Sequence, residues 1–221
     1  YKEFNIKPKA VDSEITISGI NTNGVLEVPY TGKAVKPDPT ITYKPKDTGK
    51  TLTLTEGTDY TLDYTKDVIE VDETGSVKIT FKGNYSGELT KTFKVVKGSL
   101  EAKGTTMSVN NQAWFNVEKN NDDVVDATGY PVTYSPVEEE RPLIELKNSN
   151  NDTLNYSIDG TINKDTDYVI EKPDSTDGKT WPAVGTWKVT LTGKNKYEGS
   201  NLIVLIKVEK LDINKLDIVE G

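Results

Sequence analysis

Carboxylates, lysines and three tryptophans are the side chains of this 221-residue sequence that could do chemistry, because histidine and cysteine are absent. Without imidazole or thiol there is no Ser-His-Asp or Cys-His hydrolase, no disulfide and no histidine- or cysteine-bound zinc. Oxygen ligation and aromatic stacking are what stay available. Calcium takes about six to eight oxygen ligands, and two stretches could supply them: Asn120-Asn121-Asp122-Asp123 and the loop with Asp174 and Asp177. Neither has the Asp-x-Asp-x-Asp-Gly spacing of a calcium loop, so Asx turns are the competing account. Paired carboxylates can also hydrolyse glycosides, but the acidic residues fall mostly in turns and no pair stands out. The expectation is a protein without a cofactor, a metal or a catalytic residue.

Two tryptophans are the candidate ligand-binding residues. Trp181 lies in Lys179-Thr180-Trp181-Pro182, after the turn sequence Asp174 to Gly178. A loop indole there stacks on a sugar ring, caps the end of a core or packs against the neighbouring unit. Trp114 stands beside Phe115, which breaks strand alternation, so one ring of the pair faces outward or meets another unit. Exposure of both tryptophans on one face would favour recognition of a polysaccharide or of a host or cell-surface protein. Trp187, in an alternating strand, reads as core.

The elements that must position these residues come from an internal repeat. Gly75 to Phe81 followed by Gly83-Asn84-Tyr85-Ser86-Gly87 answers Gly185 to Leu191 followed by Gly193-Lys194-Asn195-Lys196-Tyr197-Glu198-Gly199. The offset reads as 110 residues up to Gly83/Gly193, then 112 after a two-residue insertion. On this alignment Trp187 takes the slot of Val77. Upstream, Gly57-Thr58-Asp59-Tyr60 answers Lys164-Asp165-Thr166-Asp167-Tyr168, and Tyr30-Thr31-Gly32 answers Tyr134-Ser135-Pro136. Val77, Ile79 and Phe81, like Trp187, Val189 and Leu191, alternate with polar residues, the pattern of strands with one buried face. Each pattern leads through a Gly/Asn turn into another strand, which predicts a terminal hairpin in both units. No helical stripe competes. The expected class is all-β, as two tandem immunoglobulin-like β-sandwich domains over residues 1–97 and 98–221, the second with longer loops such as Glu138-Glu139-Glu140 and Asn148 to Asp152.

The motifs Tyr30-Thr31-Gly32-Lys33-Ala34-Val35-Lys36-Pro37, Glu56-Gly57-Thr58-Asp59-Tyr60 and Lys82-Gly83-Asn84-Tyr85-Ser86-Gly87 resemble the Ig-like repeats of exported Firmicutes (Gram-positive) proteins. The resemblance covers most of 26–97, is weaker over 130–210 and fades across 99–129. It implies a cell-surface or secreted, non-catalytic spacer or presenting module beside other domains of a parent protein. The alternative is an adhesin-type binding module using the loops of the second unit. Tyr85 and Tyr197 are expected to fold back on the sheet with the hydroxyl on a backbone partner. An intramolecular Lys–Asn isopeptide bond would need a buried lysine beside an acid.

Charge narrows the partners. Residues 1–97 carry 14 Lys and 14 Asp+Glu, whereas residues 98–221 carry 13 Lys+Arg and 21 Asp+Glu, so the second part holds the whole net charge of −8. An acidic surface repels phosphate backbones, which excludes nucleic acid as a partner. The longest apolar run, Leu202 to Ile206, is far below the roughly 20 residues a membrane helix needs, so membrane insertion is not expected. Phe4-Asn5-Ile6-Lys7 resembles the end of a last strand, and Leu211 to Ile218 the opening of another first strand. A stretch of a longer array is the expectation.

Overall fold

Period-two alternation and the turn residues between apolar runs translate directly into strands. The computed structural model describes residues 6–10, 14–21, 23–46, 49–134 and 141–210. Ser135, Pro136, Glu138 to Glu140, Phe4, Asn5 and the tail from Leu211 lie outside them. The chain is all-β, with no α-helix among the described residues, and none long and apolar enough to cross a membrane. It divides into two compact units, Tyr1–Val96 and Lys97–Gly221.

The first unit holds β1 (Lys9–Ala10), β2 (Ile15–Ile17), β3 (Leu26–Pro29), β4 (Ile41–Tyr43), β5 (Leu52–Thr53), β6 (Tyr60–Tyr64), β7 (Thr74–Phe81) and β8 (Tyr85–Val96). One sheet runs β1-β8-β7-β6, with β3 parallel to β8; the other runs β2-β4-β5. Both sheets feed one core, Ile17 and Ile41 from the smaller and Val77, Ile79 and Phe93 from the larger. Tyr64 Oη donates to the Pro37 carbonyl at 2.6 Å, and its ring lies edge-on to Phe93.

The second unit holds β9 (Thr106–Val109), β10 (Phe115–Asn116), β11 (Val125–Asp126), β12 (Val132–Thr133), β13 (Ile144–Lys147), β14 (Tyr156–Ser157), β15 (Tyr168–Ile170), β16 (Asp174–Ser175), β17 (Gly185–Gly193) and β18 (Asn201–Glu209). Its large sheet runs β11-β18-β17-β15-β14, with β12 parallel to β18 and β16 beside β17; its small sheet runs β10-β9-β13. Tyr168 Oη donates to the Ile144 carbonyl at 2.7 Å and so ties the two sheets together.

The same hydrogen bonds recur in both units and define which residues correspond. Thr55 N–H donates to Asp59 Oδ2 and Asn155 N–H to Asp167 Oδ2, each at 2.8 Å. Lys82 N–H donates to the Asp59 carbonyl, and Lys194 N–H to that of Asp167. Tyr30 N–H reaches the Val96 carbonyl as Tyr134 N–H reaches that of Glu209. Lys82 therefore corresponds to Lys194, and the left-handed Gly83 (φ 65°) to the left-handed Asn195 (φ 46°).

This corrects the alignment read from the sequence, which set Gly83 against Gly193 and Trp187 against Val77. Cross-strand register places Trp187 opposite Ile206 where the first unit has Gly75 opposite Phe93. The bulk has changed strands: a Cβ on Gly75 would stand 2.4 Å from the Phe93 ring, in space the second unit fills with indole. A slip of two residues preserves the in–out alternation of a strand, so the hydrophobic pattern could not detect it.

Tyr85 is half-buried and edge-on to Tyr43, and Tyr197 is buried in the turn that leads into β18. Hydroxyls that bind backbone across each unit include those of Tyr64 and Tyr168.

Glu73 folds back so that its Oε2 accepts from the N–H groups of Ile69 and Glu70, at 2.9 and 3.0 Å. Those backbone hydrogen bonds, from Glu70 first and then Ile69, hold its carboxyl below the usual range. A carboxyl with a lowered folded pKa adds stability that is present above its unfolded value, about 4.3 for Glu, and is lost as the pH falls through the folded value. In Glu73→Gln the melting temperature is expected to fall at pH 7 and to converge on wild type in acid. Thermal melts from pH 7 down to pH 2 check this; parallel curves would refute it.

Candidate functional site

In the second unit a hairpin-like excursion carries Trp181. β16 pairs with β17, Asp174 opposite Lys188 and Ser175 opposite Trp187. Ser175 Oγ accepts the N–H groups of Asp177 and Lys179, and Thr176 Oγ1 donates to the Thr186 carbonyl at 2.7 Å. Lys179 pairs with Asp177 and also donates to the Val184 carbonyl. The tied loop brings Trp181 edge-on to Trp187, ring centroids 5.2 Å apart. Trp181 is only 5% exposed. The ring caps the core and does not stack outward.

Trp181 nevertheless forms part of a cavity. A space of about 200 Å³ is lined by Trp181 and Pro182, by Val132, Thr133 and Val208, and by Asn110, Arg141, Pro142 and Leu143. Asn110, left-handed at φ 47°, is held on both sides: its N–H donates to the Leu143 carbonyl, and its Oδ1 accepts the Leu143 N–H at 2.9 Å. Arg141, the single arginine of the chain, is half-buried and donates through Nη1 to the Ile170 carbonyl. Among the described residues no carboxylate pairs with it. Arg141, Asn110 and Thr133 were no part of the sequence-derived candidates. The only signal was compositional, one arginine among many lysines.

Trp114 is placed differently. It is 39% exposed, and the Lys147 ammonium sits 4.3 Å from its ring centroid. Cross-strand register explains the contact: Asn116, Thr106 and Lys147 form one row across β10, β9 and β13, and Trp114 lies two residues along the same side. Phe115 turns the other way and stacks on Tyr130, centroids 4.3 Å apart and planes 8° from parallel. Trp114 thus offers an exposed ring with one face taken by a cation. The two candidate tryptophans are not both exposed.

The acidic loops are occupied by their own lysines and backbone. Asn120 Oδ1 accepts the N–H groups of Asp122 and Val124 in an Asx turn. Asp123 pairs at 3.0 Å with Lys119, which Glu101 also holds. Asp177 is engaged by Lys179 and Ser175, which lower its carboxyl below the ordinary value. Among the described residues no three acidic side chains converge as a cation site would require. Nor is any described lysine buried. Lys119, between two carboxylates, has its pKa raised by hydrogen bonding to Glu101 first and then Asp123, the reverse of what isopeptide formation by a neutral amine demands.

No family model matches the chain, and no curated protein shows significant similarity to it.

Proposed function

We propose that this chain is a non-catalytic pair of Ig-like β-sandwich modules from an exported bacterial protein, serving to space and present a neighbouring region of its parent. The observation that carries the reading is the repeated mode of chain entry. Lys9 N–H donates to the Asn84 carbonyl and Gly98 N–H to the Lys196 carbonyl, and Asn84 and Lys196 are corresponding residues. Counting back three positions from each sets Ile6 against Val95. Val95, in β8, is wholly buried in the first unit's core, whereas Ile6, outside the strands, is 83% exposed and has no place in that core, which supports a tandem arrangement. Lys97 alone separates Val96, the last residue of β8, from the hydrogen-bonded Gly98. So short a junction restricts bending.

Small-angle scattering tests this. Wild type is expected to give a narrow distribution of overall dimensions, and inserting about eight Gly/Ser residues after Lys97 to broaden it. A wild-type distribution already as broad as that of the insertion variant would sink the spacer reading.

A second reading, recognition of a glycan through the loop end of the second unit, is favoured by one observation: the cavity beside Trp181 combines an apolar wall with a guanidinium and an amide. Small-molecule sites are typically mostly apolar concavities with a few convergent polar groups.

A further inference from the structure

We propose that the cavity beside Trp181 binds the carboxylate of a single acidic sugar ring, with Arg141 as the anion receptor. The proposal deepens the recognition reading and rests on it.

Arginine presents five N–H donors in a planar fork that matches a carboxylate through two parallel hydrogen bonds. Arg141 spends a donor of Nη1 on the Ile170 carbonyl, and that bond sets the plane of the group. The remaining donors have no carboxylate partner among the described residues, although Asp and Glu outnumber Lys and Arg by 35 to 27. A half-buried guanidinium with donors left over among the described residues is a ready receptor for an anion.

The rest of the lining selects what the anion is attached to. Pro182 and the small exposed part of Trp181 add apolar surface to the lining, against which the C–H groups of a ring can pack. Asn110 has its Oδ1 committed to Leu143, which leaves the amide NH₂ as a donor, and the Thr133 hydroxyl can donate or accept. Donors and an acceptor around an apolar wall suit a hydroxylated ring better than an aliphatic acid. Small-molecule sites usually run to about 300–1,000 Å³; at about 200 Å³ this one holds one ring, not an oligosaccharide. Lysine could not replace the arginine, because a point-like ammonium lacks the planar fork.

The test uses the whole chain carrying Trp114→Phe, so that Trp181 and Trp187 supply the tryptophan emission. The probes are glucuronic acid, galacturonic acid and N-acetylneuraminic acid, with glucose and galactose as neutral counterparts, glucuronamide as the uncharged isostere, and an acidic dipeptide as a non-sugar carboxylate. At least one acidic sugar is expected to shift the emission and to bind about tenfold or more tighter than its neutral counterpart. Arg141→Gln and Arg141→Lys are each expected to weaken that binding about tenfold or more, with the urea midpoint of the second unit kept near wild type. Neutral sugars or glucuronamide binding as well as the acids, or unchanged affinity in a folded Arg141→Gln, overturns the carboxylate assignment and leaves glycan recognition standing. Binding of the dipeptide with no response to any sugar overturns the sugar assignment. Silence from every probe overturns the proposal and removes the cavity as support for recognition.

Discussion

Gly193→Ala is expected to destabilise the second unit by more than about 3 kcal/mol while leaving the first unit unchanged. An added Cβ would stand 2.0 Å from the Tyr197 carbonyl oxygen and 2.6 Å from that of Ser200. Both are backbone atoms of the turn into β18, and the Ser200 carbonyl accepts the Gly193 N–H at 2.8 Å, so neither can swing aside without breaking the hairpin. Glycine is needed here for close approach. The sequence pattern equates this residue with Gly83, but Gly83 corresponds to Asn195 and is needed for its left-handed backbone. Asparagine tolerates that conformation, so Gly83→Asn is expected to cost under about 1 kcal/mol. Urea titrations separate the two effects: tryptophan emission follows the second unit alone, because Trp114, Trp181 and Trp187 all lie there, and reads Gly193→Ala, while the part of the circular-dichroism transition not shared with that emission follows the first unit and reads Gly83→Asn. Similar costs at the two glycines would show that the structural correspondence is wrong.

The second large effect concerns Trp187, 1% exposed in the core with Nε1 donating to the Ala183 carbonyl at 2.8 Å. Trp187→Ala is expected to cost about 3–5 kcal/mol by loss of buried area and creation of a cavity. Its neighbours across the sheet allow a sharper experiment. The first unit solves the same position with a glycine facing a phenylalanine, Gly75 and Phe93. Ile206→Phe alone is expected to overpack the second unit by about 1–3 kcal/mol. Combined with Trp187→Gly, the new ring enters the vacated space, and the double variant is expected to be more stable than the sum of the single costs predicts. A double-mutant cycle in urea measures the coupling. Simple additivity would mean that Trp187 and Ile206 do not share that space.

Much of the fold was legible in the chain itself. Alternation in Val77-Lys78-Ile79 and Val189-Thr190-Leu191, with the Gly/Asn turns after them, placed the terminal hairpins that the structure shows. The Thr-Asp-Tyr landmarks marked a real correspondence, because Asp59 and Asp167 accept the same backbone N–H and their neighbours bridge to the same strand. The candidate site was much less legible. Trp181 was picked out as a loop aromatic, but nothing near it in sequence told whether the ring would stack outward or fold onto Trp187.

Local composition and periodicity therefore determined the all-β class, the repeat and the turns, since these depend on which residues sit two or four positions apart. Tertiary structure alone decided the register of the repeat, the burial of Trp181 and the meeting of Arg141 with Asn110 and Trp181. The physical reasons differ. A two-residue slip keeps every side chain on its face, so only the hydrogen bonds of Asp59, Lys82, Asp167 and Lys194 distinguish one register from another. The cavity joins Asn110, Arg141 and Trp181, some thirty to seventy positions apart in the sequence, through contacts that exist only in the folded unit.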